Sequence, residues 1–374
     1  MAGPDDGSGS GLREQLIGLL DTVGARANRD QLIEILETVV RLASDGTDRL
    51  DLKIANAALK EMCEGFEVFA PYRHVRKMTM FGSARTLPSD PSYAQARDLA
   101  RMLAAHGWST VTGAGPGIMA AGLEGAGPDQ AFGINIRLPF EQGANPFIRD
   151  DPKLVSMKYF FTRKLLLIKE SFAYAVLPGG FGTLDEAFEL LTLIQTGKAE
   201  PAPVVLLEVP GAGYWEGWER FLTEEVASRQ LISPGDSCLY RIVESVEAAA
   251  AEILGFYRNY HSLRWVGDTL VLRLESRPTG EEVSELSARF ADATSGPIKL
   301  LNGPLPAERR SDDFPDLARV AMRFDRVSYS RLRQLIDALN ALPSAPPPII
   351  PSTPPGIPGA PPVTTEPPIA GLSP

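Results

Sequence analysis

The chain has 374 residues, 44% of them hydrophobic and 22% charged, with a net charge of -10. This is longer than one usual domain, and the composition excludes a disordered or membrane-type chain. The acidic balance argues against a binder of nucleic-acid polymers, which needs a basic face, while leaving room for a local basic pocket.

Residues 1–11 are polar and acidic, with no apolar core of signal-peptide kind, and read as a flexible start. No run is long enough to span a bilayer, so a cytoplasmic protein without membrane contact is expected. From 12 to 74, apolar residues recur at three- and four-residue spacing in LREQLIGLL, DQLIEILETVVRLA and LKIANAALKEMCEGF, which predicts helices. From 75 to 259 the rhythm changes. VRKMTMFG, WSTVTG, AFGINIRL, AYAVLP and PVVLLEV read as strands, with PSYAQARDLARMLAAHG, TRKLLLIKESF and LDEAFELLTLIQ as helices between them. The fold class expected is α/β, a Rossmann-like parallel sheet with helices on both faces and ligands beyond the strands' carboxyl ends. Residues 260–342 alternate at the strand period in DTLVLRLE and RVAMRFD, with helical EEVSELSARFADA and SYSRLRQLIDALN, which predicts a small α+β domain. Residues 343–374 hold 13 of the 32 prolines, no aromatic and one charged residue, and read as a disordered tail.

Cys63 and Cys238 form no CxxC pair, and His74, His106 and His261 lack ligand spacing. Metal-free chemistry in a reducing compartment is expected, with no cofactor. Three glycine-bearing turns follow strands: FGSAR at 81–85, TGAGPGIM at 112–119 and PGGFGT at 178–183. Glycine lets an anion approach the backbone, and a helix start offers unpaired amides. Taken singly, each is as well explained as a tight strand-to-helix turn. None carries the P-loop lysine or the dinucleotide spacing. In PGGFGTLDE the turn runs into a helix that carries Asp185 and Glu186, both expected in its first turn. Thr183-x-x-Glu186 also fits a capping box, a purely structural alternative. Arg163 and Lys164 lie near the start of the helix before AYAVLP; adjacent helical residues diverge by about 100°, so one of them should face the pocket.

Arg163-Lys164 together with Pro178-Gly179-Gly180-Phe181-Gly182-Thr183-Leu184-Asp185-Glu186 resembles the paired RK and PGGxGTxxE motifs of the LONELY GUY (LOG) family. That family comprises cytokinin riboside 5′-monophosphate phosphoribohydrolases once labelled lysine decarboxylases. FGSAR and TGAGPGIMAA are similar to its earlier glycine loops, so the likeness runs from about Lys77 to Leu254, and the flanks are similar to a longer bacterial branch. The resemblance implies Arg163 and Glu186 as the catalytic pair and Gly179, Gly180, Gly182 and Thr183 as the phosphate site. Ser83, Gly113, Gly115, Gly117, Met119 and Lys164 would border the nucleotide. It also implies a homo-oligomer built from dimers. Two positions depart from the short members: Phe160-Phe161-Thr162 replaces their Met-His-x before Arg163-Lys164, and Ala120 replaces an acid. The expected substrate therefore widens from a cytokinin riboside monophosphate toward AMP-like nucleotides. Two rivals stay open: a pyridoxal-phosphate decarboxylase, and a non-catalytic nucleotide sensor or carrier.

Overall fold

The computed structural model describes residues 7–137, 143–233, 235–311 and 314–351. Residues 1–6 of the expected flexible start and 352–374 of the expected tail lie outside the described residues. The chain divides into two compact units, Met1–Glu64 and Gly65–Pro374. The first holds α1 (Gly7–Thr22), α2 (Arg29–Ser44) and most of α3 (Arg49–Phe69). There α1 contacts α2, with Leu16, Leu20 and Ile33 buried and an ion pair from Arg13 to Glu37 at 2.8 Å.

The second unit begins with the last turn of α3 and continues through β1 (Lys77–Phe81), α4 (Pro91–Ala105), β2 (Ser109–Thr112), α5 (Ile118–Ala126), β3 (Ala131–Ile136), β4 (Leu154–Met157), α6 (Phe160–Lys169), β5 (Ala173–Val176), α7 (Phe181–Gln195), β6 (Val204–Leu207), α8 (Tyr214–Phe221), β7 (Arg241–Val243) and α9 (Val246–Phe256). Among the described residues, seven strands form one parallel sheet in the order β4-β3-β2-β1-β5-β6-β7. The period of two along each strand sorts the core into two layers. Met78, Met80, Ala173, Ala175, Val205 and Leu207 join one hydrophobic cluster with α4, α5 and α9. Phe81, Tyr174, Val176, Val204 and Leu206 join the other with α6, α7 and α8. Burial on both faces explains why β5 and β6 read as unbroken apolar runs, while β1 and β2 also bury Thr79, Ser109, Thr110 and Thr112.

The remaining elements are β8 (Tyr260–Val266), β9 (Thr269–Leu274), α10 (Gly280–Arg289), β10 (Lys299–Leu301), α11 (Pro306–Ser311), β11 (Ala318–Met322) and α12 (Tyr329–Asn340). The four strands make an antiparallel sheet in the order β10-β11-β9-β8. Its Leu270, Leu272 and Leu274 belong to the same hydrophobic cluster as Met78 and Met80. The two sheets therefore share a core. Asn340 closes the join: its Oδ1 accepts from the Asn259 and Tyr260 amides at 2.8 Å each, and its Nδ2 donates to Phe256 O at 2.6 Å. Past α12 the chain stays attached, since the Ser344 amide donates to Glu282 at 3.0 Å, Arg258 donates to Pro346 O, and Ala345 packs on the core. Among the described residues no helix is long and apolar enough to cross a membrane.

Candidate functional site

Reading outward from the sheet centre, the strand order reverses between β1 and β5. Loops leaving these two strands diverge to opposite faces, which opens a crevice at their carboxyl ends. All three glycine turns meet there. Ser83 is the junction: its amide donates to Pro178 O at 3.2 Å, and its carbonyl accepts from the Ile118 amide at 3.1 Å. Gly117 has φ +66°, and a Cβ on it would lie 2.3 Å from Ser83 O. A Cβ on Gly179 would lie 3.0 Å from the Ser83 amide and 2.2 Å from Thr183 Oγ1. These glycines are required for the loops to touch.

The loop after β2 holds Ala114 in left-handed backbone at φ 58°. Asn145 secures it, its amide donating to Ala114 O and its Nδ2 to Gly115 O, both at 2.9 Å. Met119 closes back over Gly113 and Gly115, with Sδ or Cε within 3 Å of where either Cβ would stand. Against the same Gly113 lies the guanidinium of Arg163, 1.9 Å from that notional Cβ, while Arg163 Nε donates to Ile134 O at 3.0 Å. Any side chain at 113 would displace the arginine.

On the other side of the crevice, α7 starts at Phe181 with Gly180 as its N-cap and no side-chain cap. Gly180 and Gly182 face open space, and Phe181 is 95% exposed. An uncapped helix start presents free amides and a partial positive charge. Tyr214 braces the turn, its hydroxyl donating to Gly179 O at 2.7 Å. The helix begins earlier than the sequence suggested. Asp185 and Glu186 are its fifth and sixth residues, in the second turn and not the first, and no acid occupies the first turn. Thr183 lies inside the helix, so the alternative capping box does not form; among the described residues α10 has one, at Thr279 and Glu282. Glu186 is freed from that structural explanation.

Glu186 is 7% exposed, and its Oε2 is buried without a hydrogen-bond partner. Burial lifts its carboxyl to about 7; Lys164 and Arg163 pull it down, and Asp185 and Glu189 push it up. Arg163 and Lys164 diverge as adjacent helical residues must. Lys164 is turned to α7, its Nζ 2.6 Å from Asp185 and 2.7 Å from Glu189. The structure thus gathers Ser83, Gly113, Gly115, Gly117, Met119, Arg163, Gly179 and Thr183 about one crevice, with Gly180 and Gly182 open beside it and Glu186 one turn further along α7. Asn145 and Tyr214 escaped sequence reasoning. An Asn-Pro pair marks a turn at Asn145, but nothing near Tyr214 signals a contact 35 residues away.

A parallel sheet whose switch point joins three glycine turns, an uncapped helix start and a buried carboxyl defines a Rossmann-like α/β protein with a crevice at the carboxyl ends of its strands. Residues 115–253 match the family described as "Possible lysine decarboxylase". Over these residues the chain is similar to that family, the LOG family. "Probable cytokinin riboside 5′-monophosphate phosphoribohydrolase LOG6" of Arabidopsis thaliana is 41% identical over 64 residues, or 17% of this chain, and the match spans 30% of that relative's length. Among solved structures, the molybdenum cofactor carrier protein of Chlamydomonas reinhardtii is 20% identical, covering 47% of this chain and 94% of that one at a TM-score of 0.34. DNA processing protein A of Helicobacter pylori is 18% identical, covering 47% and 79% at a TM-score of 0.33.

Proposed function

We propose that the chain is a hydrolase that cuts the N-glycosidic bond of a nucleoside 5′-monophosphate, releasing the free base and ribose 5-phosphate. Cytokinin riboside 5′-monophosphates and AMP-like nucleotides are the substrate class. The observation that carries this reading is Glu186, a buried carboxyl with an unpartnered oxygen that titrates at about 7, close enough to Arg163 to be pulled by its charge. Such a group is costly to the fold and suited to chemistry. The name of the Arabidopsis relative supports the choice of reaction.

In this reading the 5′-phosphate sits at the start of α7, on the amides around Gly180 and Gly182 and beside the Thr183 hydroxyl, with Gly179 allowing its approach. Ser83, Gly113, Gly115, Gly117 and Met119 border the nucleoside. The C1′–N bond breaks as water adds to C1′, through an oxocarbenium-like sugar. Glu186, ionised, stabilises that positive charge and accepts the proton that water loses. The electron pair of the broken bond goes to the base, which takes up a proton on leaving. Arg163 stays charged throughout and stabilises the departing base or the phosphate electrostatically. Holding the remote phosphate orients the reacting bond. The chain and water supply every group these steps use.

The site helices also favour self-association. Phe160, Phe161 and Leu165 on α6 and Phe181 and Phe188 on α7 are exposed apolar side chains that a second copy would cover. The deciding experiment is a chromatographic screen of purine and cytokinin riboside monophosphates for released base. Release of base and ribose 5-phosphate in equal amounts is expected. Tight nucleotide binding with no base released from any of them over long incubation refutes the reading in favour of a sensor or carrier.

A further inference from the structure

The buried cation beside Glu186 has no part in the proposed steps. Lys164 is 8% exposed at its side chain, and its ammonium stands between Asp185 and Glu189, which are four residues apart on α7 and flank Glu186. A buried ammonium is tolerated only when paired. Burial works against its charge, yet the hydrogen bonds it donates to Asp185 and Glu189 hold it above the ordinary lysine range. Both acids are exposed, so water would solvate them if the lysine were removed. One residue earlier, Arg163 is fixed to Ile134 O and Gly113. Consecutive residues of α6 thus hold opposite sides of the crevice.

We propose that Lys164 is a positioning residue, which ties α6 to Asp185 and Glu189 and so fixes the Glu186 carboxyl relative to Arg163 while supplying its main counter-charge. The inference deepens, and rests on, the assignment of Glu186 to catalysis. The charged groups that act on Glu186 are Lys164 and Arg163 from α6 and Asp185 and Glu189 from its own helix. Lys164 is the stronger of the two cations, and the two acids oppose it. Removing the lysine charge leaves two uncompensated acids beside Glu186. Removing an acid does the reverse. A lysine whose charge does not act on Glu186 predicts no rise when that charge is removed.

The test is a carbon-13 NMR titration of glutamate carboxyls in the full chain, with the Glu186 signal assigned by its loss in Glu186→Gln. The Glu186 midpoint is expected to rise in Lys164→Met by roughly one pH unit, the low end of what a neighbouring charge does. It should stay at the parental value in Lys164→Arg and fall in Glu189→Gln. The acid limb of kcat/KM should move in the same order, with kcat affected more than KM. An unmoved midpoint in a folded Lys164→Met protein overturns the proposal. Should Lys164→Met fail to fold, the milder Lys164→Gln decides: a raised midpoint supports the proposal and an unchanged one overturns it. If the midpoints move as expected while no nucleotide is hydrolysed by the parent, the phosphoribohydrolase reading fails and the positioning role of Lys164 stands.

Discussion

Replacing Glu186 by glutamine should make the protein more stable at neutral and alkaline pH and far less active. A carboxyl that titrates at about 7 in the fold instead of near 4.5 destabilises the folded state when ionised. At one pH unit per 1.36 kcal/mol, that amounts to on the order of 3 kcal/mol. Below 4.5 the group is protonated in both states and contributes nothing. Between 4.5 and 7 the unfolded chain loses the proton first, so the folded state binds more protons and stability falls as pH rises. Above 7 the full penalty persists. Glutamine carries no charge in either state and escapes it, although its buried amide adds a fixed cost that does not depend on pH. The readout is therefore the difference in Tm between Glu186→Gln and the parent, followed from pH 4 to 9. It should grow in favour of the variant across the interval from 4.5 to 7 and then level off, by a few degrees in all. Turnover should fall at least about a hundredfold, or roughly 2.7 kcal/mol of barrier, with KM for a monophosphate little changed. A Tm difference that is flat with pH refutes the burial argument. Turnover within a fewfold of the parent refutes the catalytic one.

The remaining expectations test other parts of the crevice and fold. 5′-Monophosphates should be cleaved and the matching nucleosides not, because the start of α7 rewards an anion; equal rates would sink the phosphate anchor. Gly117→Ala should lower Tm sharply and abolish activity, since its Cβ would lie 2.3 Å from a backbone oxygen at φ +66°. Gly182→Ala, with open space around it, should keep or raise Tm while raising KM for monophosphates several-fold; unchanged KM would remove Gly182 from the phosphate site. Ending the chain at 351 should leave Tm unchanged, whereas ending it before Pro343 should lower it, because Ser344, Ala345 and Pro346 are attached to the core.

β5 and β6 were legible because burial on both faces leaves them as continuous apolar runs, and β1 and β2 because short β-branched and apolar stretches stand between helical ones. In the parallel sheet the two strands that went unread are its edges, β4 as LVSM and β7 as RIV. They are short, and an edge strand needs neither an apolar run nor a clean alternation to hold its place. α5, nine residues of IMAAGLEGA, was hidden by its glycines inside what read as a loop. The prolines past 343 suggested detachment, but composition says nothing about three backbone and side-chain contacts that pin Ser344, Ala345 and Pro346.

At the site, sequence shows which residues are present but not which way they point. Arg163-Lys164 is a single dipeptide, and the 100° between its members separates a guanidinium against Gly113 from an ammonium between two acids of α7. Which residue takes which side depends on where α6 lies over the sheet, a tertiary fact. The capping box failed for a related reason. Thr183-x-x-Glu186 has the spacing, but the second glycine of the turn starts the helix three residues sooner, because the open backbone at Gly179-Gly180 lets the chain turn directly off β5. The residue that spacing alone would have assigned to the cap is thereby carried into the second turn. There burial raises its pKa, no protein group partners its Oε2, and Lys164 and Arg163 oppose the shift. The same glycines that open the helix start to an anion also free the carboxylate from a structural duty, so one local feature of the chain produces both halves of the proposed chemistry.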